Sequence, residues 1–372
     1  MRYLFINPRT QYENTGDLLI NKALIDQLSR YCKVIVDDRD KPEWFSKELK
    51  SNNSEMLSKI SDRTLVATLI GRLISNRLKG DQDKYYLAFV PGDISRTGRK
   101  MAMQTLKGIA LLVILRCLGC KIVRFGISVG NFDTQNQFWS SVESRFYSFL
   151  GIRDTESLAK AREFGFHNTK YFPDLAWVSN HKPIKSDLPS KNYIVLSFRS
   201  NAYGIKHDSQ YFLKIANRLK AILSSSDFTH CKIVLCYQVS YDREACLELC
   251  EKLNEFEIEF IDKKLLLKES VELYSNAEFI VSNRLHVLLL GMLSDVLVFP
   301  LIIPKDNKKI VSILKDNKLD HTILNMDDSA LLNLETMNEI VKRRDVELKR
   351  IQATIKLNKE NTDSILTSIF LS

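Results

Sequence analysis

The chain has 372 residues, 45% of them hydrophobic, and a net charge of +9 from 54 lysines and arginines against 45 acids. The length implies two domains, and the composition excludes a disordered chain. The positive excess is interspersed with acids and lacks a basic tail or zinc module, which argues against dedicated nucleic-acid binding and suits anionic substrates or an anionic membrane surface.

In chain order, residues 3–6 are expected to form a first strand, too short in its apolar part for a signal peptide. After a loop, apolar residues fall at Leu18, Leu19, Ala23, Leu24 and Leu28, which is helical spacing. Strand, glycine-bearing loop and helix open a βαβ unit, but neither G-x-G-x-x-G nor G-K-S/T is present. Asn14, Gly16 and Asp17 fall at the loop–helix junction, where Asp17 is either the N-cap or a substrate contact.

A strand at 34–36 precedes a polar, lysine-rich segment, 40–84, with a helical island at 65–78. There Val66, Leu69, Ile70, Leu73 and Ile74 share one face, flanked by Arg72, Arg77 and Lys79. Such a helix either covers a sheet or rests on a membrane surface. A strand at 86–90 ends in Pro91-Gly92-Asp93, followed by a polar loop, 94–99. The strongly apolar helix 103–118 is expected to be buried. A strand at 122–125 runs into Gly126-Ile127-Ser128-Val129-Gly130, whose glycines suggest tight turns near a ligand, or close packing. Helices are predicted at 142–150 and 155–163, the second stopped by Gly165.

Residues 179–191 are polar, carry two prolines, and read as a linker. A second α/β series follows, with strands at 193–198, 232–237, 258–261 and 279–281 and helices at 208–223, 242–254 and 269–275. Residues 333–372 are mostly helical, with an apolar stripe at Met337, Ile340, Val341, Leu348, Ile351 and Ile355 expected to pack across the domains. The alternation predicts an α/β protein of two Rossmann-like parallel-sheet domains, 1–182 and 190–330, facing a cleft as in the GT-B architecture, with a C-terminal helical segment 331–372.

Of the seven cysteines, Cys117 and Cys120 form one C-x-x-C with no second pair at zinc spacing. Free thiols, a reducing cytoplasmic setting and no metal are expected. The apolar stretches 108–115 and 287–303 are too short, or broken by Asp295 and Pro300, for a membrane span.

The most distinctive stretch is Ser282-Asn283-Arg284-Leu285-His286, between a short buried-strand pattern and a helix-like apolar run. In open α/β sheets, ligands bind outside strand carboxyl ends. A helix N-terminus favours an anion, arginine grips carboxylate or phosphate in two places, and histidine moves protons near neutral pH. A cap and a packed ring are the structural alternative.

Four motifs in order resemble the polysaccharide pyruvyl transferase family. Asn14-Thr15-Gly16-Asp17 resembles its N-x-G-D opening, Arg153-Asp154-Thr155-Glu156-Ser157 its R-D-x-x-S, Pro173-Asp174 its P-D, and Ser282–His286 its S-x-R-L-H, with Lys309 where a lysine follows the next strand. Gly92-Asp93 stands where the family has a longer glycine run, and 40–84 is a departure. The resemblance implies transfer of a pyruvyl group from phosphoenolpyruvate to two hydroxyls of a sugar, giving a cyclic ketal and phosphate, with no further cofactor. The implied donor contacts are Arg153, Arg284, Leu285 through its backbone, and His286. His286 would be the acid–base group, and Asp17 or Asp93 would orient an acceptor hydroxyl or assist as base. The acceptor would be a lipid-linked or nucleotide-linked sugar, or a finished glycan, of a capsule or exopolysaccharide pathway, handled in the cytoplasm, with peripheral contact at the inner membrane face as an added expectation. The rival readings are a GT-B glycosyltransferase using a nucleotide sugar and a non-catalytic polysaccharide-assembly subunit.

Overall fold

The computed structural model describes residues 1–184, 192–201, 206–225, 228 and 230–371. The second half of the expected linker, 185–191, lies outside them. Two compact units divide the chain. The first comprises Met1–Tyr12, Ile20–Val178 and Asn358–Ser372, the second Glu13–Leu19 and Ser179–Leu357.

The first unit takes the elements β1 (Arg2–Ile6), α1 (Thr15–Leu28), β2 (Lys33–Val36), α2 (Glu43–Glu48), β3 (Ser54–Met56), α3 (Leu65–Lys79), β4 (Lys84–Phe89), β5 (Gly92–Arg96), α4 (Arg99–Cys117), β6 (Lys121–Phe132), α5 (Thr134–Ser144), β7 (Phe149–Ile152), α6 (Thr155–Glu163) and β8 (Thr169–Tyr171). Its strands are parallel in the order β3-β2-β1-β4-β6-β7-β8, with β5 also paired to β6. Crossovers from β3 to β4 through α3, and from β4 toward β6 through α4, run in the same direction across the sheet. Right-handed connection therefore puts both helices on one face. Leu65, Leu69 and Leu73 of α3 and Leu112 and Leu115 of α4 accordingly share a core with Phe5, Ile35, Leu87 and Ile122.

The second unit takes β9 (Tyr193–Ser197), α7 (Ser209–Leu223), β10 (Lys232–Tyr237), α8 (Arg243–Lys252), β11 (Ile258–Lys264), α9 (Leu267–Ser275), β12 (Phe279–Ser282), α10 (Leu285–Leu293), β13 (Leu297–Ile302), α11 (Lys308–Asp316), β14 (Leu324–Asn325), α12 (Ala330–Lys342) and α13 (Arg344–Phe370). Its parallel order is β11-β10-β9-β12-β13-β14. Counted from β9 this is 3-2-1-4-5-6, the doubly wound order whose reversal lies between β9 and β12. The Val/Ile/Leu-rich runs of β9, β12 and β13 are buried along their length, as a sheet covered on both faces requires.

Several sequence expectations are corrected. The division is not linear, because it falls inside α1 and inside α13. Thr15 donates its backbone N–H to Gln238 O at 3.0 Å and its hydroxyl to Leu265 O at 2.7 Å, which ties the start of α1 to the second unit. The 331–372 segment is no separate helical piece. Arg344 at the start of α13 pairs with Glu278 at 2.7 Å in the second unit, while Phe370 near its end lies 4.8 Å from the Tyr86 ring and 5.8 Å from the Tyr31 ring in the first. The region expected as helix 142–150 splits between the end of α5 and the start of β7, because a short apolar run fits either period. The loop expected at 94–99 is partly β5. The glycines 126–130 do not end their strand. β6 continues through a bulge between Arg124 and Ile127, where Gly126 takes φ +65° and a Cβ would meet Leu175 Cδ1 at 2.9 Å. Finally, α4 is buried on one side only.

Candidate functional site

The site is built at the carboxyl ends of β10, β9 and β12, three neighbours at the strand-order reversal of the second unit. Arg199 stands two residues past β9, Asp242 five past β10, and Arg284 two past β12. Ser282 Oγ donates to Ser197 O at 2.5 Å and accepts from Arg284 N at 3.0 Å, which fixes how the chain leaves β12. Asn283 clasps the backbone of Arg199 from both sides. Its Oδ1 accepts from Arg199 N and its Nδ2 donates to Arg199 O, each at 2.9 Å. Asn283 Nδ2 also donates to Tyr211 Oη at 3.3 Å. The polar residues of Ser282-Asn283-Arg284 thus lock the β9 and β12 ends together.

Arg284 donates Nη2 to the Asp242 carboxylate, and its guanidinium lies 5.4 Å from the centre of the Tyr241 ring. Burial pushes the Asp242 carboxyl above its ordinary value, opposed by the Arg284 charge. Burial pulls Arg199 down to about 10, and the neighbouring Arg284 charge adds to that. Two guanidinium groups therefore share one neighbourhood with the Asp242 carboxylate. Among the described residues the Nε atoms of Arg199 and Arg284 are buried with no hydrogen-bond partner. Buried donors of charged groups are ordinarily satisfied, so this pair is suited to an oxyanion.

Leu285 and His286 open α10, whose remaining residues from Val287 to Leu293 are buried. Gly291 lets this helix lie on the sheet, since a Cβ there would meet Ile280 Cδ1 at 2.7 Å and Val298 Cγ1 at 2.8 Å. His286 is met by the start of α1. A Cβ on Gly16 would fall 2.8 Å from His286 Cβ and Cγ and would overlap Nδ1. Only glycine lets the α1 backbone come this close. The start of α1 is held there by a bridge between Asn14 and Val239, and by Glu13, which accepts from Ser240 Oγ and Lys264 Nζ at 2.7 Å each. Asn14 Oδ1 accepts from Gly16 N at 2.9 Å, so Asn14 is the N-cap. Asp17 is the acid of the first turn, accepting from Asn14 Nδ2 at 3.2 Å, and the expectation that it caps the helix is corrected.

Of the residues expected from the sequence, Asn14, Gly16, Asp17, Arg284, Leu285 and His286 belong to the second unit. Lys309 lies in the first turn of α11, beyond the carboxyl end of β13, and is exposed. Arg153 and Asp93 belong to the first unit. Arg153 is 5% exposed, donates Nη1 to Asp174 Oδ2 at 2.9 Å and Nε to Ser128 Oγ at 2.6 Å. Asp154 caps α6 through Ser157 N at 2.7 Å and accepts from Ser128 Oγ at 2.9 Å, while Ser157 Oγ accepts from Val129 N at 3.1 Å. The R-D-x-x-S and P-D motifs are thus one buried hydrogen-bonded network. Asp93 is an exposed residue of β5. Arg199, Asp242 and Tyr241 were not singled out in the sequence. Arg199 closely follows a strand buried along its length, and its place at that strand's carboxyl end is the signal that could find it.

No curated protein matches the chain. Among solved structures, it is similar to a glycosyltransferase from Rickettsia africae at 11% identity, over 99% of this chain and 97% of that one, with a TM-score of 0.61. It is similar also to a putative UDP-N-acetylglucosamine 2-epimerase from Listeria monocytogenes, at 9% identity over 99% and 95% of the two chains, TM-score 0.57. A UDP-GlcNAc 2-epimerase from Methanocaldococcus jannaschii matches at 12% identity over 91% and 92%, TM-score 0.53. At such identity the likeness shows the fold, which is GT-B-like. The family model described as polysaccharide pyruvyl transferase matches residues 14–302, from the Asn14 cap through Ser282–His286 and short of Lys309. The chain belongs to the polysaccharide pyruvyl transferase family.

Proposed function

We propose that the protein moves the pyruvyl group of phosphoenolpyruvate onto two hydroxyls of a sugar, in building a cell-surface polysaccharide. The observation that carries the reading is the Arg199–Arg284 pair at the ends of β9 and β12, with His286 beside Gly16. Phosphoenolpyruvate presents a carboxylate and a phosphate, and two guanidinium groups with free Nε–H donors match two anionic groups. The N-termini of α1 and α10 add positive potential at the same place. Arg153 and Lys309 enter the proposal by family resemblance alone.

In the proposed reaction His286 delivers a proton to the methylene carbon, whose double-bond electrons form the new C–H bond. The carbon bearing the phosphate becomes electron-poor and is attacked by one sugar hydroxyl. The C–O bond to phosphate then breaks, and the second hydroxyl closes the ketal. Two hydroxyl protons are lost in all. One restores the donor imidazole and the other leaves with phosphate. Arg284 stabilises the phosphate charge as it develops, and Asp242 holds Arg284 in place. Asp17 is proposed to orient an acceptor hydroxyl. The acceptor is proposed to be a lipid-linked or nucleotide-linked saccharide.

The test is phosphate release from phosphoenolpyruvate with candidate lipid-linked and nucleotide-linked saccharides, alongside mass spectrometry of the saccharide. The reading expects a gain of one pyruvate less one water. Transfer that consumes UDP-sugar and leaves phosphoenolpyruvate intact overturns it.

A further inference from the structure

α4 is apolar on both sides. Ala102, Thr105, Ile109, Leu112 and Leu115 face the core. On the opposite side Met103, Leu106, Val113 and Ile114 are 38–51% exposed, spaced at one and two helical turns along its length. α3 covers the same sheet face, over β1 where α4 lies over β6, with β4 between them. Two strand spacings are about 10 Å, the distance of neighbouring helices. α3 adds Ile74 at 44% and Leu78 at 82% exposure. Both helices therefore lie on one face of the sheet, and each turns exposed apolar side chains outward.

That surface carries charge of one sign. Neither α3 nor α4 contains an acidic residue. Arg77, Lys79, Arg99, Lys100, Lys107 and Arg116 are exposed on them, and among the described residues none is ion-paired. The carboxylates of α5 nearest to α4 are already engaged. Asp133 accepts from Gly98 N and Asn136 N, and Glu143 is paired with Arg96 at 2.5 Å.

We propose that the outer α3–α4 face docks on an anionic lipid membrane. Apolar side chains flanked by unpaired cations match an interfacial helix, whose apolar residues enter the headgroup boundary while lysine and arginine meet the phosphates. Among the described residues no helix is long and apolar enough to cross a membrane, so the contact lies on the surface. A second copy of the chain is the poorer occupant. A twofold contact would press six exposed cations against their own counterparts without one carboxylate to answer them.

The experiment is flotation of the full chain with vesicles of phosphatidylcholine containing about one third phosphatidylglycerol, and with phosphatidylcholine alone, in the absence of phosphoenolpyruvate. Binding to the anionic vesicles that weakens with salt is expected. Arg99→Gln with Lys100→Gln and Lys107→Gln should weaken it by about 100-fold, at roughly tenfold or less per charge near the surface. Leu106→Gln with Ile114→Gln should weaken it at least ~10-fold, because both side chains leave the headgroup boundary. All five positions are exposed, and circular dichroism melts should stay close to the parent. Absence of binding, or equal binding by the variants, overturns the proposal. So does a concentration-dependent dimer in sedimentation that the Leu106→Gln, Ile114→Gln variant alone converts to monomer. No outcome depends on the proposed reaction.

Discussion

Gly16 couples two family motifs through a distance rather than a chemical group. Its missing side chain is what lets the capped start of α1 rest on the His286 ring. α10 cannot retreat, because Gly291 already presses it on Ile280 and Val298. Gly16→Ala must therefore displace the imidazole. A misplacement of this size costs about 10²-fold in turnover, and the overpacking about 1–3 kcal/mol in stability. Gly71→Ala is the control, since its Cβ would meet only Arg63 Nη1 at 3.9 Å, and it should be as active as the parent. Steady-state phosphate release and urea melts of the two variants decide. The Arg199 guanidinium makes a separate prediction. Phosphoenolpyruvate at 100 times its Kd should stabilise the parent by about 2.7 kcal/mol. Arg199→Met, similar in length but without donors, should lose most of that in a thermal melt at the same concentration. Retained stabilisation would remove Arg199 from donor binding.

At the scale of elements, the strand-end arginines of the two units sit in different settings. In the first unit the loop after β7 is tied into a buried network. Arg153, Ser128, Asp154 and Asp174 neutralise and cap one another with Arg153 5% and Asp174 1% exposed. Arg153→Met strands the Asp174 carboxylate and should cost about 3–5 kcal/mol in a urea melt, while a purely ligand-binding arginine would cost little. In the second unit Asp242 is pushed above 3.8 by burial. A folded-state value above the unfolded one means the native state keeps this proton longer. The group therefore withdraws stability as pH rises from about 3.8 through the folded value. Asp242→Asn should flatten that part of a pH–stability profile relative to the parent. These roles also show what the sequence made legible. Ser282–His286 announced itself because strand, cap and helix are contiguous there. Arg199 did not, because its partnership with Arg284 exists only once β9 and β12 lie side by side, 85 residues apart in number. The alternating strands and helices were plain, but α4 was misjudged. Its apolar content fits burial on all sides, and only the folded arrangement leaves Met103, Leu106, Val113 and Ile114 exposed.

For the whole molecule, the decisive feature is that Glu13–Leu19 departs from its sequence neighbours and completes the second unit. Linear reading expected residues 1–182 to carry Asn14, Gly16 and Asp17 as parts of another domain. Local pattern cannot reveal otherwise, since the helical period of α1 runs unbroken across the division. The reason is a set of long-range bonds, from Thr15 to Gln238 and Leu265 and from Glu13 to Ser240 and Lys264. A fragment cut where the chain passes into its second series, 179–357, therefore lacks one wall of its own site. Without the segment, Leu265 O and Gln238 O lose their donors and His286 loses its backing. Fusing residues 13–19 to that fragment through a flexible glycine–serine linker should restore the contacts without restoring the first unit. The fused fragment is expected to bind phosphoenolpyruvate at least ~10-fold more tightly than the bare one by calorimetry, about 1.4 kcal/mol. Equal affinity would mean that the N-x-G-D segment does not shape the proposed donor site, and that Gly16 serves packing against His286 alone.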